Sequence, residues 1–313
     1  MSEITMFFLT GHAKSGSSLL QNLLSEIQGV TCLGEGNFFS ATQKTIPSLY
    51  DCISQGVAPW NEYIAKRKRN WLGLDEEIKT IERENYLSEE VLSNNLDTIS
   101  QKMLQLFLQD LFQQKAIENN SGWIGDKSLI FRKGDLQRIP ALFPKAKIIF
   151  SIRNVKDFLV SYILHYWRVN RDKRIGRDLV FVNTSDLLRA DSFIKQGKQG
   201  DFVSSETALR FVSFWQELRE EARKLTANSS NFYTCSYETL MTDTKQEFCR
   251  ILDFLGVSYS DENVTDALSA NSITELKAAG GFFADHIQNA TPGKWQEYLS
   301  PEISSLIDKQ LER

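Results

Sequence analysis

The chain is poor in the features that would settle its class by composition. Its 313 residues include only four cysteines, Cys32, Cys52, Cys235 and Cys249. They lie far apart and lack the paired spacing of a zinc site or a disulfide framework, so the expectation is reduced, buried, inert thiols in a cytoplasmic protein. Positive charge is not in excess: 36 lysines and arginines stand against 40 acidic residues, a net of −4. A global basic field for long nucleic acid is therefore missing, and any anion site must be local. The opening stretch MSEITMFFLT has no basic start, and its apolar run is too short for a signal or a membrane span. Repeats and low-complexity tracts are absent.

What is present is 42% hydrophobic content, enough for a sizeable core in one domain covering residues 1–313. Short β-rich runs alternate with amphipathic stretches, which predicts an α/β fold with a central parallel sheet flanked by helices. The spacing predicts strands at 5–10, 30–33, 122–125, 146–152 and 231–236. KAKIIFSIR, a continuous apolar run, reads as a central strand buried on both faces. Leu96, Ile99, Met103, Phe107 and Leu111 predict a helix over 96–114 with that stripe as its core face. Further helices are predicted over 206–225 and in DTKQEFCRILDFLG, capped by Asp243 or Thr244 and closed by Gly256. Two stretches break the alternation. Residues 37–93 read as an insertion with aromatics and the basic run KRKRN, and 169–203 as a charged, lid-like loop.

The segment GHAKSGSSLL follows the first strand and opens a helix, the place of a phosphate-cradling loop. Gly11 and Gly16 keep the glycine spacing of a nucleoside triphosphate loop, but Ser17 stands where that loop needs lysine. Lys14, at the front of the turn, supplies the only ammonium, so the ATP or GTP reading fails at its most informative position. Ser15, Ser17 and Ser18 add hydroxyls beside Gly16; the same residues would also make an ordinary helix cap. In SIRNVKDFLVSYILHYW, Arg153 ends the clearest strand and Ser161 lies about two turns into the next helix, so both can reach one anion. The alternative has Arg153 merely pairing with Asp157.

Together, KSGSS and RNVKDFLVSY resemble the cytosolic and bacterial sulfotransferases that use 3′-phosphoadenosine 5′-phosphosulfate, PAPS. The segments GDKSLIFRKGDLQRIPALFPKAKIIF, SYETLMTDTKQEFCRILDFLGV and GKWQEYLSPE are similar to that family's next segments in order, so the likeness covers most of residues 5–300. It implies a P-loop-like sulfotransferase fold, PAPS as cosubstrate, adenosine 3′,5′-bisphosphate (PAP) as product, and no metal. It places the 5′-phosphosulfate on Lys14, Ser15, Gly16, Ser17 and Ser18 and the 3′-phosphate on Arg153 and Ser161. Tyr237 then lies on the adenine side, and Gly293 and Lys294 in the C-terminal cofactor segment. There QNATPGKW departs from the Arg-Lys-Gly of the animal members, and Trp295 reads as packing.

In-line sulfuryl transfer needs an aligned acceptor oxygen, a proton acceptor and a cation beside the departing phosphate. Lys14 suits the last role. Glu35 follows the second strand at the carboxyl edge of the sheet, where many bacterial relatives carry the base; between two glycines it is also a plausible turn residue. Lys127 resembles a lysine that contacts the transferring group, with a surface ion pair to Asp126 as the alternative. His286 is a secondary acid–base candidate, while His12 reads as a loop cap and His165 as packing or surface. The acceptor implied is the β-hydroxyl of an acyl chain on an acyl carrier protein, docked by KRKR at 66–69 or by Arg171, Lys173, Arg174 and Arg177. That reaction would activate the chain for elimination to a terminal alkene, as in polyketide and olefin synthases. The alternatives are a free-standing enzyme for a small alcohol, phenol, lipid or sugar, with Phe38, Phe39, Trp60, Tyr63 and Trp71 lining a pocket, a non-catalytic nucleotide binder, and a P-loop kinase.

Overall fold

The computed structural model describes residues 4–36, 38–40, 48–53, 89–171, 182–272, 274–275 and 291–312. Five strands, β1 (Thr5–Gly11), β2 (Val30–Leu33), β3 (Trp123–Leu129), β4 (Lys147–Ile152) and β5 (Phe232–Ser236), form one sheet in the order β2-β3-β1-β4-β5. Every pairing is parallel. Parallel strands need crossovers, supplied here by α1 (Ser17–Ser25), α2 (Glu89–Glu118), α3 (Asp135–Leu142), α4 (Val155–Arg171), α5 (Thr184–Lys195) and α6 (Ser205–Asn228). After β5 come α7 (Tyr237–Thr242), α8 (Thr244–Leu255), α9 (Asp261–Ala270), a 3₁₀ turn (Lys294–Glu297) and α10 (Pro301–Leu311).

Side-chain alternation divides the core between the two faces of the sheet. Phe8, Ile124, Ile148 and Phe150 pack with α2, α3, α4, α6 and α10 on one side. Phe7, Leu9 and Ile149 pack with α1, α8 and α9 on the other. β1 and β4 approach closely at their carboxyl ends. Gly11 has φ 132°, and a Cβ there would lie 2.1 Å from the Ser151 carbonyl oxygen, so only glycine permits the contact. The register pairs Gly11 with Leu129 and Ser151, Leu33 with Asp126, and Ile152 with Ser236. All the loops that follow these strands therefore leave from one edge.

Three expectations are corrected. The helix predicted at 96–114 runs from Glu89 to Glu118, and its buried ridge is Leu104, Leu108, Phe112 and Ala116, whereas Met103 and Phe107 are 60% and 53% exposed. The apolar arc is wide enough for two phases, and the 3.6-residue pattern could not choose between them; packing on Phe8 and Phe38 did. The lid-like 169–203 contains a regular helix, α5, with a reciprocal capping box between Asn183 and Asp186. Its Ala190 and Phe193 are buried, as are Phe202 and Val203 beyond it; charge on the outward face concealed that pattern. Cys32 and Cys235 are buried, but Cys52 is exposed.

Candidate active site

The loop between β1 and α1 turns through two left-handed residues, Lys14 at φ 66° and Gly16 at φ 91°. A Cβ on Gly16 would lie 2.6 Å from Cδ2 of Tyr237, so the loop lies flat on that ring. The loop is pinned from below. The Ser15 hydroxyl donates to the His12 carbonyl at 2.6 Å and lies 2.6 Å from the Ser151 hydroxyl, which itself donates to the Thr10 carbonyl at 3.1 Å. Its hydroxyl is thus a strut within the scaffold, and an anion would meet the backbone of Ser15 instead.

His12 joins this loop to the second motif. Its Nε2 accepts the Arg153 backbone N–H at 3.1 Å and its ring packs against Phe158, centroids 4.1 Å apart. Burial lowers its pKa to about 4, keeping the imidazole neutral and suited to accept that bond. Arg153 is 4% exposed; its guanidinium stacks 4.3 Å from the Tyr237 ring centroid and donates to the Lys14 carbonyl at 3.3 Å. One planar cation thereby touches both the loop and the tyrosine. Asp157 stands 4.0 Å from Arg153, at the limit of an ion pair, while its oxygens accept the Gly293 N–H at 2.7 Å and the Trp295 N–H at 3.1 Å. The carboxylate thus serves mainly to fasten the C-terminal segment, including Lys294, to α4. Ser161 is buried on the same helix, one turn beyond Asp157.

Cations gather at this edge. Burial, then the charges of Arg153 and Arg168, lower the pKa of Lys14 to about 7, with Glu35 opposing. A site that strains to keep its lysine charged is suited to an anion. Binding one should restore the proton, so inorganic sulfate, which does not itself titrate near neutral pH, should take up a fraction of a proton per site when it binds at pH 7. Affinity should weaken as pH rises above 7. Calorimetry in buffers of different ionisation enthalpy reads the uptake, which Lys14→Ala should abolish.

Glu35 leaves β2 toward the same edge, where Lys127 meets it at 3.0 Å and also donates to the Ser18 hydroxyl at 3.1 Å. Lys127 is only 9% exposed by side chain and Glu35 44%. The alternative of a surface pair between Lys127 and Asp126 is overturned, because neighbours on a strand point to opposite faces and Lys127 is buried beside α1. Trp215 donates to the Arg153 carbonyl at 2.8 Å, and Glu238 accepts the Asn154 N–H at 2.9 Å. Neither was singled out from sequence: Glu238 sits beside the chosen Tyr237, but Trp215 is one of many helix aromatics. Phe38 and Phe39 belong to the core cluster rather than to an open pocket. His165 packs on Tyr166, and Trp295 lies under the Lys156 ammonium at 4.3 Å. His286, residues 66–69, Trp60, Tyr63, Trp71, Lys173, Arg174 and Arg177 fall outside the described residues.

Among the described residues, no cluster of three or more His, Cys, Asp or Glu side chains could hold a metal ion. Among them, too, no helix is long and apolar enough to cross a membrane.

Residues 5–313 match the family described as the sulfotransferase domain. Cytosolic sulfotransferase 9 of Arabidopsis thaliana is 21% identical over 192 residues, 57% of this chain and 53% of that protein. Sulfotransferase 1A1 of Bos taurus is 28% identical over 133 residues, 42% of this chain and 38% of that protein. The chain thus spans about half the length, or less, of these curated relatives. The crystal structure of mouse sulfotransferase SULT7A1 complexed with PAP shares the fold, with a TM-score of 0.52 at 15% identity over 98% of this chain and 82% of that one.

Proposed function

Since the chain belongs to the sulfotransferase domain family, we propose that it moves a sulfuryl group from PAPS to an acceptor hydroxyl. The observation that carries this reading is the junction at His12, Arg153 and Tyr237. It brings two cationic loops from different strands onto one aromatic face, with the Glu35–Lys127 pair on the same sheet edge. A nucleotide with phosphates at both ends of its ribose fits such a pair of loci: Lys14 and the amides of the first loop at one, Arg153 and Ser161 at the other, and Tyr237 between. Gly293 and Lys294, tied to α4 through Asp157, would close over the second locus.

When bound, PAPS supplies an activated sulfuryl group on a phosphate. The chain contributes position and charge. Lys14 holds the negative charge that builds on the departing phosphate oxygen. Lys127, fixed between Ser18 and Glu35, presents its ammonium to the group in transit and orients the carboxylate. Glu35 takes the hydroxyl proton of the acceptor as its oxygen attacks sulfur.

For the acceptor we propose the β-hydroxyl of an acyl chain carried on an acyl carrier protein. The support is the Glu-bearing turn after β2 and the basic runs of the sequence, which suit an acidic carrier. The test runs labelled PAPS against a β-hydroxyacyl carrier protein and against the free β-hydroxy acid and simple alcohols. Turnover at least tenfold higher on the carrier supports the proposal; equal turnover on a free alcohol replaces it with a small-molecule enzyme. PAP binding without transfer to any acceptor would replace it with a nucleotide-binding protein.

A further inference from the structure

Asp126 has no part in the transfer described above, yet it is 1% exposed and carries two hydrogen bonds at the edge of the site. Its Oδ2 accepts the Ser128 hydroxyl at 2.6 Å, and its Oδ1 accepts the backbone N–H of Gly36 at 3.3 Å. Gly36 immediately follows Glu35. The register sets Asp126 beside Leu33, the last residue of β2, so the acid lies across from the turn that presents Glu35. Gly36 itself lies against Phe38, where a Cβ would come within 2.3 Å of the ring, so the turn has little room to move. Consecutive residues of β3 thus grip one turn from opposite faces: Lys127 takes the Glu35 carboxylate and Asp126 the amide behind it.

Burying a carboxyl group is costly, and a lone amide could be satisfied by a neutral acceptor. We propose that Asp126 is a positioning residue, which aims Glu35 at the acceptor by holding the Gly36 amide from the face of β3 opposite Lys127. The inference rests on the role given above to Glu35, but the Gly36 contact can be read without any turnover.

The contact should depend on pH. Burial raises the pKa of Asp126 to about 7, with the Glu35 charge adding to the rise and Ser128, Gly36 and Lys127 opposing it. Among the described residues, Glu35 and Cys32 act on it from the β2 side and Lys127 through its charge from the opposite face of β3; its register neighbour on β1 is the neutral Phe8. Above about pH 7 the acid is ionised, and its bond to the amide becomes charge-assisted and stronger. Below that pH the grip loosens.

The experiment follows the Gly36 amide by nuclear magnetic resonance in glycine-labelled protein, and the pH profiles of kcat and kcat/KM in parallel, for wild type, Asp126→Asn and Asp126→Ala. Asn keeps an acceptor for Gly36 and removes the charge; Ala removes both. Wild type should show a step in the Gly36 amide shift near pH 7 that is absent from Asp126→Asn. The rate profile should lose its matching step in the same variant. At pH 8, kcat should fall about tenfold in Asp126→Asn and further in Asp126→Ala, with PAP affinity within twofold of wild type. A Gly36 amide that does not titrate near pH 7, or Asn and Ala variants with wild-type profiles, overturns the proposal. If the wild type transfers no sulfate while the Gly36 step is present and lost on substitution, the sulfotransferase reading fails and the hold on the turn stands.

Discussion

Arg153→Ala should weaken PAP binding by about 2–5 kcal/mol, the range for truncating one partner of a desolvated charge pair. The size follows from the setting. The guanidinium is 4% exposed, stacked 4.3 Å from the Tyr237 centroid and bonded to the Lys14 carbonyl at 3.3 Å, so it is held in place before any ligand arrives. Little side-chain entropy remains to be lost on binding. Asp157, on the same segment, is 4.0 Å away and engaged by two backbone amides, so it competes poorly with an incoming phosphate. Arg153→Lys should recover only part of the loss, because an ammonium lacks the planar fork that both stacks and donates in parallel. Calorimetric titration measures both variants. The backbone N–H that donates to His12 and the backbone carbonyl that accepts from the Trp215 indole remain in each, so near-ultraviolet circular dichroism should match wild type. Unchanged PAP affinity in a folded Arg153→Ala protein would separate this residue from the nucleotide and remove the second anion locus.

What could be read beforehand depended on how local the controlling physics was. The strands were legible because a run such as KIIFSI between two helical stretches has few other uses in an α/β chain. Gly256, at φ 77°, closed its helix as expected because a left-handed helix end is a local property of glycine. β3 ran past its predicted end because Asp126 and Lys127 look like a polar turn; they are strand residues whose charges are met by Gly36, Ser128, Glu35 and Ser18 from elsewhere in the chain. The same non-locality hid the phase of α2 and the buried face of α5. At the site, the turn between β1 and α1 and the place of Arg153 at the end of β4 were legible from residue type and position after a strand. The use of the Ser15 hydroxyl as a strut and of His12 as a neutral acceptor was not, since each depends on β4 lying next to β1.

Glu35→Gln should reduce kcat by about 10²–10⁴-fold, the range for loss of a general base, while leaving PAP affinity near wild type. Gln is nearly isosteric and can still accept from Lys127, so the Gly34–Gly36 turn and the lysine bridge to Ser18 should persist. What disappears is the capacity to take a proton from the acceptor hydroxyl. The alternative role for Glu35, a solvent-facing turn residue, predicts almost no change, since its side chain is 44% exposed and surface substitutions seldom matter. The pair with Lys127 at 3.0 Å exists in either case, so the turnover of Glu35→Gln is what separates them. Lys127 is 9% exposed by side chain, and Glu35 is its counter-charge. His286→Ala in the same assay decides between the two candidate proton acceptors. A loss of less than tenfold there, beside a collapse in Glu35→Gln, assigns the base to the turn after β2. The reverse order of losses would assign proton acceptance to the histidine and leave Glu35 as the lysine's counter-ion.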